Sequence, residues 1–274
     1  MFPPFEPGRE DRKRRPLGFA RGQVPVRVLV PNIVTLIGLC AGLTAFRLGE
    51  FARVNLAAFS LEGPKRAPLR TALRKGERLG LSIAIVPPEG VADMMDELRD
   101  VSNAWLAHHK VREKSFSLGA VEADYVATQP VAVIRDAGRV IAFATILATK
   151  VGDQVAIDLM RVRPDAPNGT MDYLLLELMR HFKAEGVTWF GLGMAPLSGF
   201  PESTATSIWN RVGRAVYDHG ERFYHFKGLR GFKDKFGPQW QPRYMVVSGG
   251  INPLLALADV TVLIGGGVRG VVSK

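Results

Sequence analysis

From Leu81 to Ser248 short apolar runs alternate with turn residues in a way that predicts a mixed α/β layer. Leu81–Val86 alternates with apolar bias and predicts a strand. Val91, Met94, Met95, Leu98, Val101 and Trp105 recur at helical spacing, with Asp and Glu early in the run. They predict a helix over Val91–His109 whose apolar residues are core. A short helix follows around Glu122–Ala127, carrying Tyr125. Strands are predicted at Pro130–Arg135, Arg139–Thr149 and Gln154–Arg161, with hairpin turns at Asp136-Ala137-Gly138 and Gly152-Asp153. A helix Met171–Glu185, a strand Val187–Leu192, a helix at about Ser207–His219 and a strand Tyr244–Ser248 complete the pattern. The order is that of a GNAT-type acyltransferase layer, a mixed, largely antiparallel sheet with flanking helices.

The flanks read differently. Residues 1–27 are rich in Pro, Gly and Arg and predict a disordered basic arm. Val28–Phe46 is uncharged for 19 residues, close to the minimum for a membrane span. Pro31 and its glycines weaken it as a helix, so it is either a membrane-inserted or interfacial segment or a buried core helix. The apolar segment is drawn over residues 28–50. At the other end, Ile251–Val268 is interrupted by Asp259 and Gly265-Gly266-Gly267, which predicts a docked helix rather than a span.

Charge sharpens this division. Of the net +10, residues 1–78 carry +9 and the remaining 196 residues +1. A near-neutral body with a basic front end fits a polyanionic partner, nucleic acid or anionic lipid. From Pro68 a helix is predicted, and Arg66, Arg70, Arg74 and Arg78 recur every four residues with Lys75 beside them. That stripe is either a phosphate-contact face or an ordinary solvated one. The single cysteine excludes an internal disulfide framework and fits a reducing compartment. No Cys/His cluster has zinc spacing, so no metal site is expected.

Asp158 and Arg161 interrupt an otherwise apolar strand. Three apart, they point to opposite faces unless a bulge re-aims one of them. An ionised Asp in such a strand costs several kcal/mol unless paired, so it has a partner or a function. Either the two form a structural ion pair, or Asp158 handles a hydroxyl proton beside a cation that holds an anionic substrate. A coenzyme A transferase of this fold would follow the strand with a Q/R-x-x-G-x-G/A loop cradling pyrophosphate at the next helix. Here the loop is Arg163-Pro164-Asp165-Ala166-Pro167-Asn168-Gly169-Thr170, with one glycine and an acid, so no coenzyme A is expected.

Asp158–Arg161 with the following loop, Trp189–Gly199, Ile208-Trp209-Asn210-Arg211, His219–Tyr224 and Gly228–Phe236 resemble the C-terminal domain of phosphatidylglycerol lysyltransferases, the MprF-type aminoacyl-phosphatidylglycerol synthases. Phe59–Gly63 and Arg112-Glu113-Lys114 match as well, and the likeness covers about 55–265. Pro31–Leu36 through Cys40–Thr44 also resembles the first membrane helix of CDP-diacylglycerol–serine phosphatidyltransferases. That family's D-G-x2-A-R signature is nowhere in the chain, so the activity is rejected.

The lysyltransferase resemblance implies aminoacyl transfer from aminoacyl-tRNA, lysyl or alanyl, to a glycerol hydroxyl of phosphatidylglycerol, with no cofactor. It implies catalytic Glu113, Tyr125, Asp158, Arg161 and Lys233. A substrate loop of Arg163, Asp165, Asn168, Met194, Ser198 and Arg211 is expected, and Arg66, Arg70, Arg74, Lys75 and Arg78 would bind tRNA phosphates. The spacing alone points to Asp158, Arg161 and Lys233; otherwise Lys233 and Lys235 are surface charges around a Phe232/Phe236 anchor. Residues 51–88 would be the tail of a first GNAT-like half and its basic connecting helix, and 89–274 the transferase domain; a shortened first half would impair turnover. The expected setting is the bacterial inner membrane, with the catalytic body cytoplasmic and an anionic membrane surface as partner. The alternatives are a non-catalytic domain that binds tRNA or anionic membrane, and aminoacyl transfer to a peptidoglycan peptide.

Overall fold

A computed structural model describes residues 43–109, 113, 119–148, 152–196, 198–199, 226–248 and 253–264. Its strands are β1 (Leu43–Asn55), β2 (Ser82–Val86), β3 (Val131–Asp136), β4 (Arg139–Ala148), β5 (Gln154–Val162), β6 (Trp189–Pro196) and β7 (Gln239–Ser248). They form one sheet in the order β2-β3-β4-β5-β6-β1-β7. The pairs β2–β3, β3–β4, β4–β5 and β1–β6 are antiparallel, whereas β5 and β6 run parallel. That parallel pair needs a crossover, supplied by helix α4 (Thr170–Ala184). The other main helices are α1 (Ala67–Arg78), α2 (Met95–His109), α3 (Ala123–Val126), α5 (Phe226–Asp234) and α6 (Pro253–Ile264), with a single helical turn at Pro88–Val91 and 3-10 turns at Pro64–Arg66 and Ala92–Met94. This is the mixed, GNAT-like sheet with flanking helices that the pattern predicts. The helix predicted at about 207–219 lies outside the described residues.

Two apolar clusters mark the faces of the sheet. On one, Leu69 of α1 and Leu174, Leu175 and Leu178 of α4 pack on Ala132, Ile134, Ala144, Ile146, Val155 and Ile157. On the other, Met95, Leu98 and Val101 of α2 and Val126 of α3 pack on Val133, Phe143 and Leu159. The β3–β4 hairpin closes through Ala137 (φ 46°) and Gly138 (φ 85°), the doubly positive pair that a two-residue turn of matching twist requires.

The front of the chain departs from its reading. Residues 1–42 lie outside the described ones, but from Leu43 the chain is a strand that crosses the boundary drawn at residue 50 and lies between β6 and β7. Ala52 and Val54 are buried at alternate positions while Phe51 and Arg53 face the other way, a period-two signal hidden behind the longer apolar run. The basic helix is likewise part of the core. It docks on α4, with Leu69, Ala72 and Gly76 buried. β7 starts five residues earlier than predicted, and its Pro242 is tolerated because the strand is at the sheet edge. The described side chains of α6 are half-buried or exposed, so it is a helix but not a buried one. No helix among the described residues is long and apolar enough to cross a membrane.

Gly76 is where α1 meets α4, and a Cβ there would collide with the ring of Tyr173. Helix propensity alone would make Gly76→Ala stabilising by about 1 kcal/mol. Overpacking costs about 1–3 kcal/mol, and the ring is held by its hydroxyl on the Leu81 carbonyl at 3.1 Å. The clash wins: Gly76→Ala is expected to lower the urea midpoint, and Tyr173→Leu in the same chain to restore part of it.

Candidate active site

The irregularity that builds the site is a bulge in β5. Ala144 pairs with Met160 and Ile146 with Ile157, so Asp158 and Leu159 together oppose Thr145. The buried Thr145 hydroxyl takes the displaced Leu159 amide at 3.0 Å. Because of the extra residue, Asp158, Leu159 and Arg161 all face the α2 side, and the strict alternation that would separate the acid from the cation is broken. Leu159 packs in the α2-side cluster while Ile157, Met160 and Val162 pack in the other.

Asp158 and Arg161 are not an ion pair. Tyr125 donates its hydroxyl to Asp158 Oδ2 at 2.5 Å. Burial first, and that hydrogen bond second, raise the Tyr125 hydroxyl above the usual phenol range, so it stays a donor. Gly119 lets the backbone pass so close to Asp158 that a Cβ would strike the carboxylate. Arg161 bonds Glu113 Oε1 at 2.8 Å and the Met160 carbonyl at 3.0 Å, and its guanidinium lies 4.3 Å from the ring centre of Trp105. Four of the five predicted catalytic residues, Glu113, Tyr125, Asp158 and Arg161, thus meet on one face.

Lys233 approaches from the other face. Its ammonium bonds the Met194 carbonyl at 2.8 Å and lies next to Gly193, whose register partner Ala52 faces the α4 side. Only 3% of it is exposed, and burial lowers it to a pKa of about 8. Lys235 is paired with Asp172 at 2.5 Å and Phe236 is fully buried, so neither lysine is a loose surface charge. β5 and β6 pair only through Gln154–Trp189, Val155–Phe190 and Ala156–Gly191, so beyond Ala156 and Gly191 the ladder is open. Asp158 and Gly193 each stand two residues beyond the last pair, on the two strands that border this opening.

The described residues of the predicted loop are held by partners within the chain. Arg163 bonds Asp100 at 2.6 Å and Asp165 at 3.0 Å, with Arg139 3.5 Å from Asp165. The Arg163 hydrogen bond is the main cause that holds the exposed Asp165 below the usual carboxylate range. The Asn168 carbonyl accepts from Lys75 at 3.1 Å. Ser198 is buried; its hydroxyl donates to the Ala195 carbonyl at 2.9 Å and stands 3.5 Å from Glu50. Glu50, itself buried, pairs with Arg47 at 2.9 Å and with Arg230, which stacks 4.3 Å from the Trp240 ring centre. Arg230 is one turn before Lys233, so this pair fixes α5 against the sheet. Arg211 lies outside the described residues.

Of the basic stripe, Arg66 bonds the Lys235 carbonyl, and Arg70 bonds the carbonyls of Leu61 and Gly63 at 2.5 and 2.7 Å. Arg74 and Arg78 are exposed. The stripe lies on the Lys233 side of the sheet, not with Asp158. Sequence reading missed Trp105, taken as core, and also Thr145, Glu50 and Arg230. For Thr145 the signal was a hydroxyl residue within an apolar strand; for Glu50, an acid in an apolar run between arginines.

Residues 23–247 match the family model described as phosphatidylglycerol lysyltransferase, C-terminal. The phosphatidylglycerol lysyltransferase of Bacillus subtilis (strain 168) is 36% identical over 226 residues, 82% of this chain and 26% of that protein. The chain thus spans about a quarter of the length of the curated relatives it matches. Among solved structures, the C-terminal domain of an Agrobacterium fabrum protein described as a lysylphosphatidylglycerol synthetase is 51% identical with a TM-score of 0.71, over 85% of this chain and 70% of that one. L-PGS from Bacillus licheniformis is 35% identical with a TM-score of 0.69, over 84% and 69%.

Proposed function

The chain belongs to the phosphatidylglycerol lysyltransferase C-terminal family, and from that premise we propose that it transfers an aminoacyl group, lysyl or alanyl, from aminoacyl-tRNA to a glycerol hydroxyl of phosphatidylglycerol at the cytoplasmic face of the bacterial inner membrane. The observation that carries the reading is the Tyr125–Asp158 pair beside the clamped Arg161 at the opening between β5 and β6.

The chemistry asks little of the protein beyond placement. An aminoacyl ester is already activated, so no covalent intermediate is needed. Asp158 accepts the proton of the attacking glycerol hydroxyl, whose oxygen bonds to the ester carbonyl carbon. Arg161 on one face and Lys233 on the other supply positive charge for the tetrahedral oxyanion and for the phosphates of the two substrates. When the tetrahedral species collapses, the C–O bond to the tRNA ribose breaks and the ribose oxygen takes the proton back. Glu113 fixes Arg161, and Tyr125 orients Asp158. The tRNA backbone would run along the α4 side, where Arg74 and Arg78 are exposed and Lys233 sits at the end of the path. We also read the enzyme as independent of coenzyme A: the loop after β5 has one glycine, and its Arg163 is tied to Asp100 and Asp165.

Labelled lysyl- and alanyl-tRNA, each incubated with the protein and phosphatidylglycerol vesicles, should give labelled aminoacyl lipid with at least one donor. Vesicles of phosphatidylcholine should give none. A soluble peptidoglycan peptide added in excess should not take label from the lipid. Label on the peptide in its place, or no transfer with either donor, would overturn the proposal.

A further inference from the structure

We propose that Trp105 is a positioning residue for Arg161: its indole face holds the guanidinium in the plane that the transfer step requires. This rests on the function proposed above, which it deepens.

Three contacts bear on the orientation of Arg161. Glu113 takes one terminal nitrogen at 2.8 Å, the Met160 carbonyl the other at 3.0 Å, and the Trp105 ring lies under the guanidinium at 4.3 Å. Trp105 is held in turn. It belongs to neither apolar cluster, and His109 stacks on it with centroids 4.3 Å apart and planes 28° apart. A ring nitrogen of the same histidine lies 2.8 Å from the Trp105 carbonyl, one helical turn back. A ladder of His109, Trp105, Arg161 and Glu113 therefore ties the last turn of α2 to the bulged strand β5.

Two kinds of grip differ in what they do to the charge. A carboxylate such as Glu113 fixes an arginine by neutralising it. An aromatic face fixes it through the ring quadrupole and leaves its positive charge available to an oxyanion. The hydrogen bonds to Glu113 and the Met160 carbonyl hold the edge of the guanidinium, and the indole supports its face. A core tryptophan would instead be wrapped by aliphatic side chains, and this one presents its face to a cation.

The test compares Trp105→Leu and Trp105→Phe in the full chain, alone and with Arg161→Lys. Trp105→Leu should lower kcat by about tenfold or more, a larger factor than its effect on the KM for aminoacyl-tRNA. Trp105→Phe should recover most of the loss, and Trp105→Leu should cost nothing further in the Arg161→Lys chain. An activity-independent signature accompanies this. In a ¹⁵N-arginine spectrum the Arg161 Nε–H resonance, identified by its loss in Arg161→Lys, should be shifted upfield by the indole ring current and return to the ordinary position in Trp105→Leu. If that shift is present but the wild type forms no aminoacyl lipid, the positioning stands and the proposed activity falls. Unchanged kcat in Trp105→Leu, additive losses with Arg161→Lys, or an unshifted resonance would overturn the positioning role.

Discussion

Asp158→Asn is expected to lower the rate of aminoacyl transfer by about a hundred- to ten-thousandfold, with little change in the denaturation midpoint. Asparagine keeps the shape and can still accept the Tyr125 hydroxyl, which now lies 2.5 Å from Oδ2. It cannot take a proton from the attacking glycerol oxygen, and that is the step the carboxylate is placed to perform. The side chain is half-buried and its partner is a phenol, not a cation, so removing its charge leaves no buried ion unpaired. Tyr125→Phe should be milder, about tenfold, because it removes the group that orients the carboxylate and leaves the base in place. The measurement is kcat with phosphatidylglycerol vesicles at saturating aminoacyl-tRNA, alongside urea unfolding of both variants. If Asp158→Asn keeps a third or more of the wild-type kcat, Asp158 is not the base. If Tyr125→Phe costs as much as Asp158→Asn, the tyrosine is itself a proton carrier.

Much of the sheet was legible because its strands carry their own signals. β2 to β5 and α4 sit within a residue or two of the predicted ranges, where apolar periodicity and turn chemistry agree. The site was legible only in part. Asp158 and Arg161 stand out as charges in an apolar strand, but strand geometry alone puts them on opposite faces. What unites them is an unpaired residue in the β4–β5 ladder, and a one-residue slip depends on which residues pair across strands, which no local pattern encodes. The partners were legible even less. Tyr125 and Asp158 are 33 positions apart, and Glu113 and Arg161 are 48 apart. Trp105 shows how the same letter carries two meanings. Its helical spacing with Leu98 and Val101 marks it as core, yet it sits at the rim where α2 ends and Arg161 covers it. β1 failed in the opposite direction: a long apolar run overrode the alternation of its last residues.

Lys233 should give the protein a pH dependence that Lys233→Met lacks, in stability and in turnover alike. Burial brings the folded-state pKa to about 8, while the unfolded lysine keeps its proton to about 10.4. The sign follows from proton counts. Below pH 8 the amine is charged in both states, and folding bears the full cost of burying that charge. Between about 8 and 10.4 the unfolded chain holds a proton that the folded chain has released, so stability rises with pH across this window. The difference corresponds to roughly 3 kcal/mol. Lys233→Met loses the hydrogen bond to the Met194 carbonyl, a loss of about 1–3 kcal/mol whose change on ionisation is already contained in the folded-state pKa. Urea unfolding of both proteins from pH 7 to 10.5 should therefore show the wild type gaining on the variant by roughly 3 kcal/mol, other titrating groups being common to both. A constant gap across the window would mean that the amine is not held in a dry site. Turnover moves the other way. If the ammonium is what holds substrate anions at the opening between β5 and β6, wild-type kcat/KM falls as pH rises through about 8. The variant, lower by about ten- to a hundredfold at pH 7, lacks that limb. The donor's own α-amine titrates in the same range, but identically for both enzymes, so the ratio of the two profiles isolates Lys233. A ratio that stays flat from pH 7 to 9 would remove Lys233 from the site and leave it as a strut between α5 and β6.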